Sequence, residues 1–237
     1  MKVWLILLFV IAEVFGGVVD MIQNEHKLRI GIKYDTKPFG FKEGKKIKGF
    51  DLELSKLIVQ ELKNRYNISE LHLFYKKVLP KNREQMLLTK KVDMVVATYT
   101  ITDKRKEKVD FSIPYFKDKV IVVSHKPKTQ QPKIGVLKGS TTEKYLKESG
   151  YSVELFEDYD KLFKAFFHND IDAISSNKTI LKEFINSNEV IIWDINHSEN
   201  YGIGLPKGDK EFKMVIDEIL DELKKNGKYE DLYKKWF

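Results

Sequence analysis

Hydrophobic and polar positions in the first half of the chain follow two different periods. Residues 28–33 alternate in polarity as a half-buried strand does, whereas residues 50–64 carry apolar side chains at the spacing of an amphipathic helix. The pattern predicts, in order, a strand over 28–33, a helix over 50–64, a strand over 71–78, a helix over 83–90 and a buried strand over 92–97. Strands that alternate with helices predict a mainly parallel sheet flanked by helices.

A second series of elements begins after the polar segment HKPKTQQPK at residues 125–133. The pattern there predicts strands over 134–136, 153–156 and 171–175, helices over 161–167, 179–185 and 212–223, and a short terminal helix after Gly227. The chain therefore contains two α/β cycles, and neither half visibly repeats the sequence of the other. Its 237 residues, 42% of them hydrophobic, can bury one large core or two modest ones.

The stretch that follows the strand over 92–97 carries the clearest chemical signal. Thr98, Thr100 and Thr102 stand at alternate positions, and Asp103 and Arg105 follow them. A strand that ends in hydroxyls and leads into an arginine can clamp an anion, because hydroxyls and backbone N–H groups donate to one oxygen while the guanidinium holds a carboxylate at two points. The same residue types are also ordinary in a solvated turn, so spacing alone leaves both interpretations open.

Composition narrows the possible functions. The chain has no cysteine, which excludes disulfides, thiolate nucleophiles and thiolate metal sites. The formal charge is +7, but lysines alternate with glutamates along predicted helix faces instead of forming a basic stripe with aromatics, so we predict no nucleic-acid binding. The histidines are scattered without metal-ligand spacing, and we predict no metal and no cofactor.

The first 17 residues, MKVWLILLFVIAEVFGG, are typical of a secretory signal peptide, with a basic residue, an apolar stretch and small residues near the end. The apolar stretch spans only about ten residues, which is short for a bilayer. An uncleaved membrane anchor is the alternative interpretation.

Several motifs resemble those of the periplasmic solute-binding proteins that supply polar amino acids to ABC transporters. They are, in the family's order, LRIGIK at 28–33, PFGF at 38–41, KGFDLELSKLI at 48–58, ATYTITDKRKEKVDFSIPYF at 97–116, IGVLKGST at 134–141, YGIGLPKG at 201–208 and NGKYEDLYKKWF at 226–237. The resemblance covers nearly everything after residue 25. Several ordered motifs are far more specific than any one of them alone.

This resemblance implies the α/β fold of a two-lobed, type II periplasmic binding protein. Each lobe is then a mixed, mainly parallel sheet flanked by helices. Residues 25–119 and 202–237 are expected to form the first lobe, and residues 120–201 the second lobe with the hinge strands. The ligand is expected in the cleft where loops at the strand ends of both lobes converge, with closure by a hinge motion.

The resemblance also assigns roles to individual residues. Arg105 is expected to hold the α-carboxylate of the ligand, with help from Thr98 and Thr100. On the second lobe Thr141 lies in a segment that looks like a helix N-terminus, where hydroxyls and free N–H groups can close on the same carboxylate.

Two further cations bear on which solute is bound. Asn82 and Arg83 match a motif of the aspartate- and glutamate-binding members, in which the arginine binds the side-chain carboxylate, and Lys33 stands where those members tend to carry a basic residue. A neutral ligand would leave such buried charges unpaired, which is costly, so together they predict an acidic amino acid. Each cation taken alone is also compatible with a surface position.

One position departs from the family. Related proteins usually carry an aspartate that pairs with the ammonium group of the ligand, and this chain has Asn177 there. An asparagine can accept a hydrogen bond but supplies no counter-charge. Either ammonium binding relies on other groups, or the ligand has no amino group and is a dicarboxylate or another organic acid.

The sequence thus predicts a periplasmic receptor without lipidation and without catalytic residues, a monomer that delivers its solute to an inner-membrane ABC permease. One alternative is an enzyme on the same scaffold, similar to cyclohexadienyl or arogenate dehydratases, although only Glu53 or Asp35 could be proposed as a general acid or base. A ligand-presenting sensory subunit is the other alternative.

Overall fold

The computed structural model describes residues 16–182 and 190–237. The signal peptide predicted over 1–17 lies almost entirely outside the described residues, and residues 183–185 of the helix predicted over 179–185 also lie outside them. The α-helices with both ends in these ranges are α1 (Val18–Glu25), α2 (Phe50–Tyr66), α3 (Arg83–Leu88), α4 (Asp103–Lys106), α5 (Thr141–Glu148), α6 (Tyr159–Phe167), α7 (Lys210–Lys225) and α8 (Lys228–Trp236).

The strands in the described ranges alternate with these helices along most of the chain. They are β1 (Lys27–Ile32), β2 (Asp35–Thr36), β3 (Gly40–Glu43), β4 (Lys46–Lys48), β5 (His72–Lys77), β6 (Met94–Val95), β7 (Asp110–Phe111), β8 (Phe116–Ser124), β9 (Ile134–Leu137), β10 (Val153–Phe156), β11 (Ala173–Asn177), β12 (Ile191–Tyr201) and β13 (Gly204–Leu205). Apart from the helix over 179–185, each predicted strand and helix has an observed counterpart. The helices α1 and α4 and the short strands β2, β3, β4, β7 and β13 were not predicted.

Two five-stranded sheets form the two halves of the molecule, in the strand orders β5-β1-β6-β13-β7 and β10-β9-β11-β8-β12, and a small sheet holds β2, β3 and β4. The strands joined through helices pair in parallel: β1 with β5 and β6, and β9 with β10 and β11. The other pairings in the large sheets are antiparallel, because β8, β12 and β13 belong to the connections between the halves. The expected two-lobed α/β class is confirmed, with mixed sheets.

The helix α2 illustrates how the predicted periodicity becomes a packed element. Its apolar stripe of Phe50, Leu54, Ile58 and Leu62 is completely buried. The helix ends where Asn67 adopts a left-handed backbone, which asparagine tolerates better than most residues. This packing fixes the N-terminal end of α2, which faces the candidate site described below.

The chain passes between the two large sheets through β8 and β12, which lie side by side and antiparallel. Phe116 pairs with Tyr201 at one end of this ladder and Ser124 with Ile191 at the other, with a register shift between Asp194 and His197. Residues just before β8 and just after β12 belong to the first sheet. The two strands therefore occupy the position of a hinge.

Aromatic side chains pack where this hinge meets the first lobe. The rings of Phe116 and Tyr201 stack with their centres 5.8 Å apart, and Phe39 meets both rings edge-on. The ring centre of the C-terminal Phe237 lies 4.9 Å from that of Phe116. Offset and edge-on ring pairs each stabilise a core by roughly 0.5–1.5 kcal/mol beyond area burial. The C-terminal segment is thus anchored at the base of the hinge.

Candidate ligand-binding site between the two lobes

The predicted clamp segment begins with a constrained backbone at Thr98. This residue has a φ of +44°, which is unusual for a β-branched side chain. Its backbone N–H donates to the carboxylate of Asp51 in the first turn of α2 at 3.0 Å, and the hydroxyl of Tyr115 lies 3.2 Å away. Burial raises the pKa of Asp51 to about 7. The well-packed end of α2 therefore positions the turn that follows β6.

Arg105 reaches both lobes. The hydroxyl of Thr102 caps α4 by accepting from the Arg105 backbone N–H, and the guanidinium folds back over the clamp segment. It donates to the carbonyl of Thr100 at 2.7 Å in the first lobe and to the carbonyl of Gly139 at 3.2 Å in the second. Burial lowers the pKa of Arg105, but a guanidinium stays charged in proteins. Arg105 thus presents a positive charge at the junction of the lobes.

Arg83 lies behind the clamp and is completely buried. Its guanidinium donates to the carbonyls of Ala97 and Thr98 at 2.9 and 3.2 Å and stacks 4.0 Å from the ring centre of Tyr99. Among the described residues its Nε has no hydrogen-bond partner. Burial and the nearby charge of Arg105 lower the pKa of Arg83 to about 9. Arg83 therefore supports the backbone of the clamp, whatever else it binds.

Lys33 has a counter-charge within the protein. Its ammonium group lies 3.6 Å from the carboxylate of Asp35 and 4.4 Å from the ring centre of Tyr159. Asp35 in turn accepts from the backbone N–H of Tyr159, the first residue of α6 in the second lobe. Burial lowers the pKa of Lys33 to about 8. Lys33 is therefore paired within the protein and does not require a carboxylate from the ligand, contrary to the expectation that a neutral ligand would leave it unpaired.

The second lobe contributes hydroxyl and amide groups. Ser140 caps α5 by accepting from the backbone N–H of Glu143 at 3.0 Å, which places Thr141 at the start of the helix. The hydroxyl of Thr141 lies 3.4 Å from that of Thr100 in the first lobe. Asn177 lies at the end of β11 and is buried. These side chains of the second lobe face the predicted clamp.

Glu199, on the hinge strand β12, was not predicted and lies at the centre of this group. Its carboxylate accepts hydrogen bonds from Thr100 at 2.9 Å, from Asn177 at 3.0 Å and from Thr141. His197 Nε2 lies 3.5 Å away. Burial alone would raise the pKa of the Glu199 carboxyl, but hydrogen bonds from these neighbours hold it below its ordinary value. The site therefore contains a buried carboxylate as well as buried cations.

A sequence signal for Glu199 did exist. Residues 120–201 were expected to contain the hinge strands, and positions 195, 199 and 201 of β12 are buried while 196, 198 and 200 are exposed. An acidic residue two positions before the inward-facing Tyr201 must therefore also face inward, since side chains alternate along a strand. A buried acid is costly unless it is paired, and that makes it a candidate site residue.

The loops of the two lobes touch at the edge of the site. Lys81 of the first lobe forms an ion pair with Glu157 of the second. Gly139 has a φ of +78°, and a Cβ at this position would lie only 2.9 Å from the Cα of Lys81. Glycine is thus required both by the backbone conformation and by the close approach of the opposite lobe.

Of the predicted site residues, Thr100, Arg105, Thr141 and Asn177 converge with Glu199. Thr98 contributes through its backbone, and Lys33 and Arg83 lie on the first-lobe side with protein partners of their own. Their roles toward a ligand remain predictions. In residues 16–182 and 190–237 no group of three or more potential metal ligands comes together, and no helix there is long and apolar enough to cross a membrane.

Two mixed sheets joined by a pair of hinge strands, with polar groups at their junction, define a type II periplasmic binding-protein fold. The chain belongs to the bacterial extracellular solute-binding proteins of family 3, whose family model matches residues 28–237. It is 32% identical over 229 residues to the glutamine-binding protein of an ABC transporter from Bacillus subtilis (strain 168), a match that covers 91% of this chain and 82% of that protein.

Solved structures agree with this assignment. An ancestral arginine-binding protein bound to glutamine is 31% identical with a TM-score of 0.80, and the match covers 90% of this chain and 98% of that one. An ancestral amino acid-binding protein described as a precursor of cyclohexadienyl dehydratase is 28% identical with a TM-score of 0.82, covering 94% and 100% of the two chains. The relatives are solute-binding proteins, so the chain is a binding protein and not an enzyme.

Proposed function

We propose that this protein is a periplasmic receptor that binds one α-amino acid between its lobes and delivers it, as a monomer, to an ABC permease. The observation that carries the proposal is the position of Arg105, whose guanidinium contacts backbone carbonyls of both lobes. A carboxylate held there would join the lobes through one charge-assisted contact, and hinge closure would present a docking surface to the permease.

The hydroxyls of Thr100 and Thr141 support a carboxylate at the same point. They come from opposite lobes, and their oxygens are 3.4 Å apart. An arginine fork with a hydroxyl from each lobe fits the two oxygens of a carboxylate, which accept several hydrogen bonds. The α-carboxylate is common to all amino acids, so this part of the site does not select a side chain.

For the side chain we favour an uncharged polar group, as in glutamine. Lys33 is paired with Asp35, and Arg83 is bonded to the carbonyls of Ala97 and Thr98, so neither cation requires a carboxylate from the ligand. The relative from Bacillus subtilis is named as a glutamine-binding protein. The ligand of this chain would then carry no net charge.

An acidic amino acid is the second candidate. One observation favours it: the buried Nε of Arg83 has no hydrogen-bond partner among the described residues, and a buried unpaired donor is costly. A side-chain carboxylate that reached this atom would gain a charge-assisted hydrogen bond. The two candidates differ in one charge, so they can be separated directly.

The test is calorimetric titration of the purified protein, unfolded and refolded to remove carried-over solute. Glutamine, arginine, glutamate, aspartate and succinate are titrated separately, and the recovered ligand is checked for chemical change. Micromolar or tighter binding of glutamine, with glutamate at least tenfold weaker, supports the proposal as stated. A preference for glutamate or aspartate supports the second candidate. Binding of succinate alone, or a converted ligand, would refute an amino-acid receptor.

A further inference from the structure

The contacts of Glu199 pose a question that the proposed carboxylate clamp does not answer. Its side chain is almost completely buried, at 3% exposure, between the two lobes. Burying a lone carboxylate costs several kcal/mol unless partners compensate. A receptor that needed only to bind a carboxylate would gain nothing from a second negative charge at the same place.

Besides His197 Nε2, which lies 3.5 Å from the Glu199 carboxylate, the donors around Glu199 are of two kinds. Asn177 donates through an amide that is fixed at the end of β11. Thr100 and Thr141 each donate through a hydroxyl that carries a single proton and rotates freely. Each hydroxyl can therefore give its proton either to Glu199 or to a ligand carboxylate, but not to both. When the two hydroxyls turn toward a ligand carboxylate, Glu199 keeps Asn177 and the nearby His197 and requires new donors in place of the two hydroxyls.

An α-ammonium group supplies such donors. It carries three protons and a positive charge, and it is attached to the same carbon as the carboxylate that Arg105 is proposed to hold. The structure likewise holds a positive and a negative side chain close together. The Arg105 guanidinium donates to the carbonyl of Thr100, and the Glu199 carboxylate accepts from the hydroxyl of the same residue. The carboxylate and ammonium groups of one amino acid would thus meet Arg105 and Glu199, which both bond Thr100.

We infer that Glu199 is the anionic partner of the ligand's α-ammonium group and takes over the role of the aspartate that related proteins carry at the position of Asn177. This inference rests on the proposed amino-acid function. The distance of 3.0 Å between the Asn177 amide and the Glu199 carboxylate supports the exchange, because the two side chains reach the same point from different strands. Asn177 then orients the carboxylate, and Glu199 provides the charge.

The rival interpretation is that Glu199 occupies the carboxylate site as an internal competitor. Both interpretations use the same hydrogen bonds, but they predict opposite effects of removing the charge. As an ammonium partner, Glu199 strengthens amino-acid binding. As a competitor, it weakens the binding of every carboxylate.

The experiment is a titration of Glu199→Gln and the unmodified protein with three pairs of compounds. The amino acids are glutamine, arginine and glutamate, and each is compared with the same molecule without its α-amino group: glutaramate, 5-guanidinopentanoate and glutarate. For the amino acid that the unmodified protein binds most tightly, we expect Glu199→Gln to lose about 30-fold or more in affinity, the loss typical of breaking a buried charge pair. Its deaminated partner should bind both proteins within about threefold.

Two further variants keep the test decisive if Glu199→Gln folds poorly. Asp118→Asn is the matched control, because Asp118 is a buried carboxylate that pairs in register with Glu199 but bonds Lys119 and Thr179 instead of the clamp hydroxyls. It should change affinity by less than about threefold. The double variant Glu199→Gln with Asn177→Asp moves the negative charge to the neighbouring strand, and we expect it to recover at least tenfold of the lost affinity.

The outcomes separate the inference from the function on which it rests. If the unmodified protein binds none of the amino acids, the proposed function has failed. If it binds one and Glu199→Gln binds it equally well, or more tightly, the inference is wrong and the proposed function stands. If the amino acid and its deaminated partner lose affinity equally, Glu199 has only a structural role.

Discussion

The two sides of the candidate site differ in their chemistry. The first lobe contributes three cations, the buried Lys33 and Arg83 and the half-buried Arg105, whereas the second lobe and the hinge contribute Thr141, Asn177 and the carboxylate of Glu199. A zwitterionic ligand carries one charge of each sign and is matched by such an arrangement. The difference shows that the cations of the first lobe alone do not predict the charge of the ligand, because Glu199 on the other side of the site already carries a negative charge.

The cations of the first lobe also differ from one another. Arg83 bonds two first-lobe carbonyls, while Arg105 bonds one carbonyl in each lobe. Lys33 is paired with Asp35, which itself bonds the second lobe. Arg105 is therefore the cation best placed to couple ligand binding with closure. The following predictions test this division, from the largest expected effect to the smallest.

Replacing Arg105 should have the largest effect on binding. Arg105→Ala removes a desolvated partner of the ligand carboxylate, a loss that typically costs about 2–5 kcal/mol, or roughly 30- to several-thousand-fold in affinity. Calorimetric titration with the tightest-binding amino acid measures it. Arg105→Lys is the matched control: it keeps the charge without the fork and should retain part of the affinity. Near-normal binding by Arg105→Ala would show that the carboxylate binds elsewhere.

Arg83→Gln tests whether the second arginine supports the fold or selects the ligand. We expect a lower melting temperature, by about 5 °C, because charge-assisted bonds to two buried carbonyls are lost and a domain of this size shifts by about 2–4 °C per kcal/mol. Arg65→Gln removes partly exposed ion pairs with Glu218 and Glu222 and should lower the melting temperature far less.

The ligand preference of Arg83→Gln separates the two candidate functions. An uncharged ligand predicts that glutamine and glutamate lose affinity by the same factor. An acidic ligand predicts that glutamate loses at least tenfold more than glutamine. The first result would remove Arg83 from the specificity-determining residues, and the second would return the acidic amino acid to first place.

The buried Asp51 predicts a pH dependence of stability. Its pKa is raised to about 7 in the folded protein, whereas an unfolded chain releases this proton near pH 4. Between these values the folded state binds more protons than the unfolded state, so the free energy of unfolding falls as the pH rises from about 4 to about 7.

Urea unfolding of the unmodified protein and Asp51→Asn at pH 5 and pH 7.5 tests this dependence. An asparagine can still accept from the Thr98 N–H, so the variant should lose less stability than the unmodified protein over this range. Equal losses in the two proteins would show that Asp51 is already ionised at pH 5.

The ion pair between Lys81 and Glu157 should have the smallest effect. It joins the lobes, but both side chains are partly exposed, at 40% and 35%, and such pairs contribute about 0–1 kcal/mol. Lys81→Ala should weaken ligand binding by at most about fivefold, and the difference should shrink at 1 M salt. A loss of more than tenfold at high salt would mean that closure depends on this contact.

Most of the fold could be predicted from the sequence because its elements have clear periods. The predicted helix over 50–64 and the predicted strand over 28–33 have the clearest periods, and they correspond to α2 and β1. The helix α1 begins directly after the predicted signal peptide and spans only eight residues, too few to show a clear period. The two-residue strand β13 is too short for any period, and only pairing with β6 and β7 defines it.

The candidate site was predictable where a local motif carried it. The hydroxyls and arginine of residues 98–105 stand close together in the sequence, so Thr100 and Arg105 could be named. Glu199 lies far from them in the chain, and its role depends on the pairing of β8 with β12 and on the contacts of Asn177. The ion pair between Lys33 and Asp35 was not predicted. Asp35 can neutralise the charge of Lys33 only if the two side chains point toward each other, and the sequence does not show their directions.

The measurement that tests the account most directly is calorimetric titration of the unmodified protein with its tightest-binding amino acid and two analogues. One analogue lacks the α-ammonium group, and in the other an α-amide replaces the α-carboxylate. Recognition of a zwitterion by opposite charges predicts that each analogue binds at least about 30-fold more weakly than the amino acid. Equally tight binding of the analogue without the ammonium group would contradict the account, because the negative side of the site would then have no role in recognition.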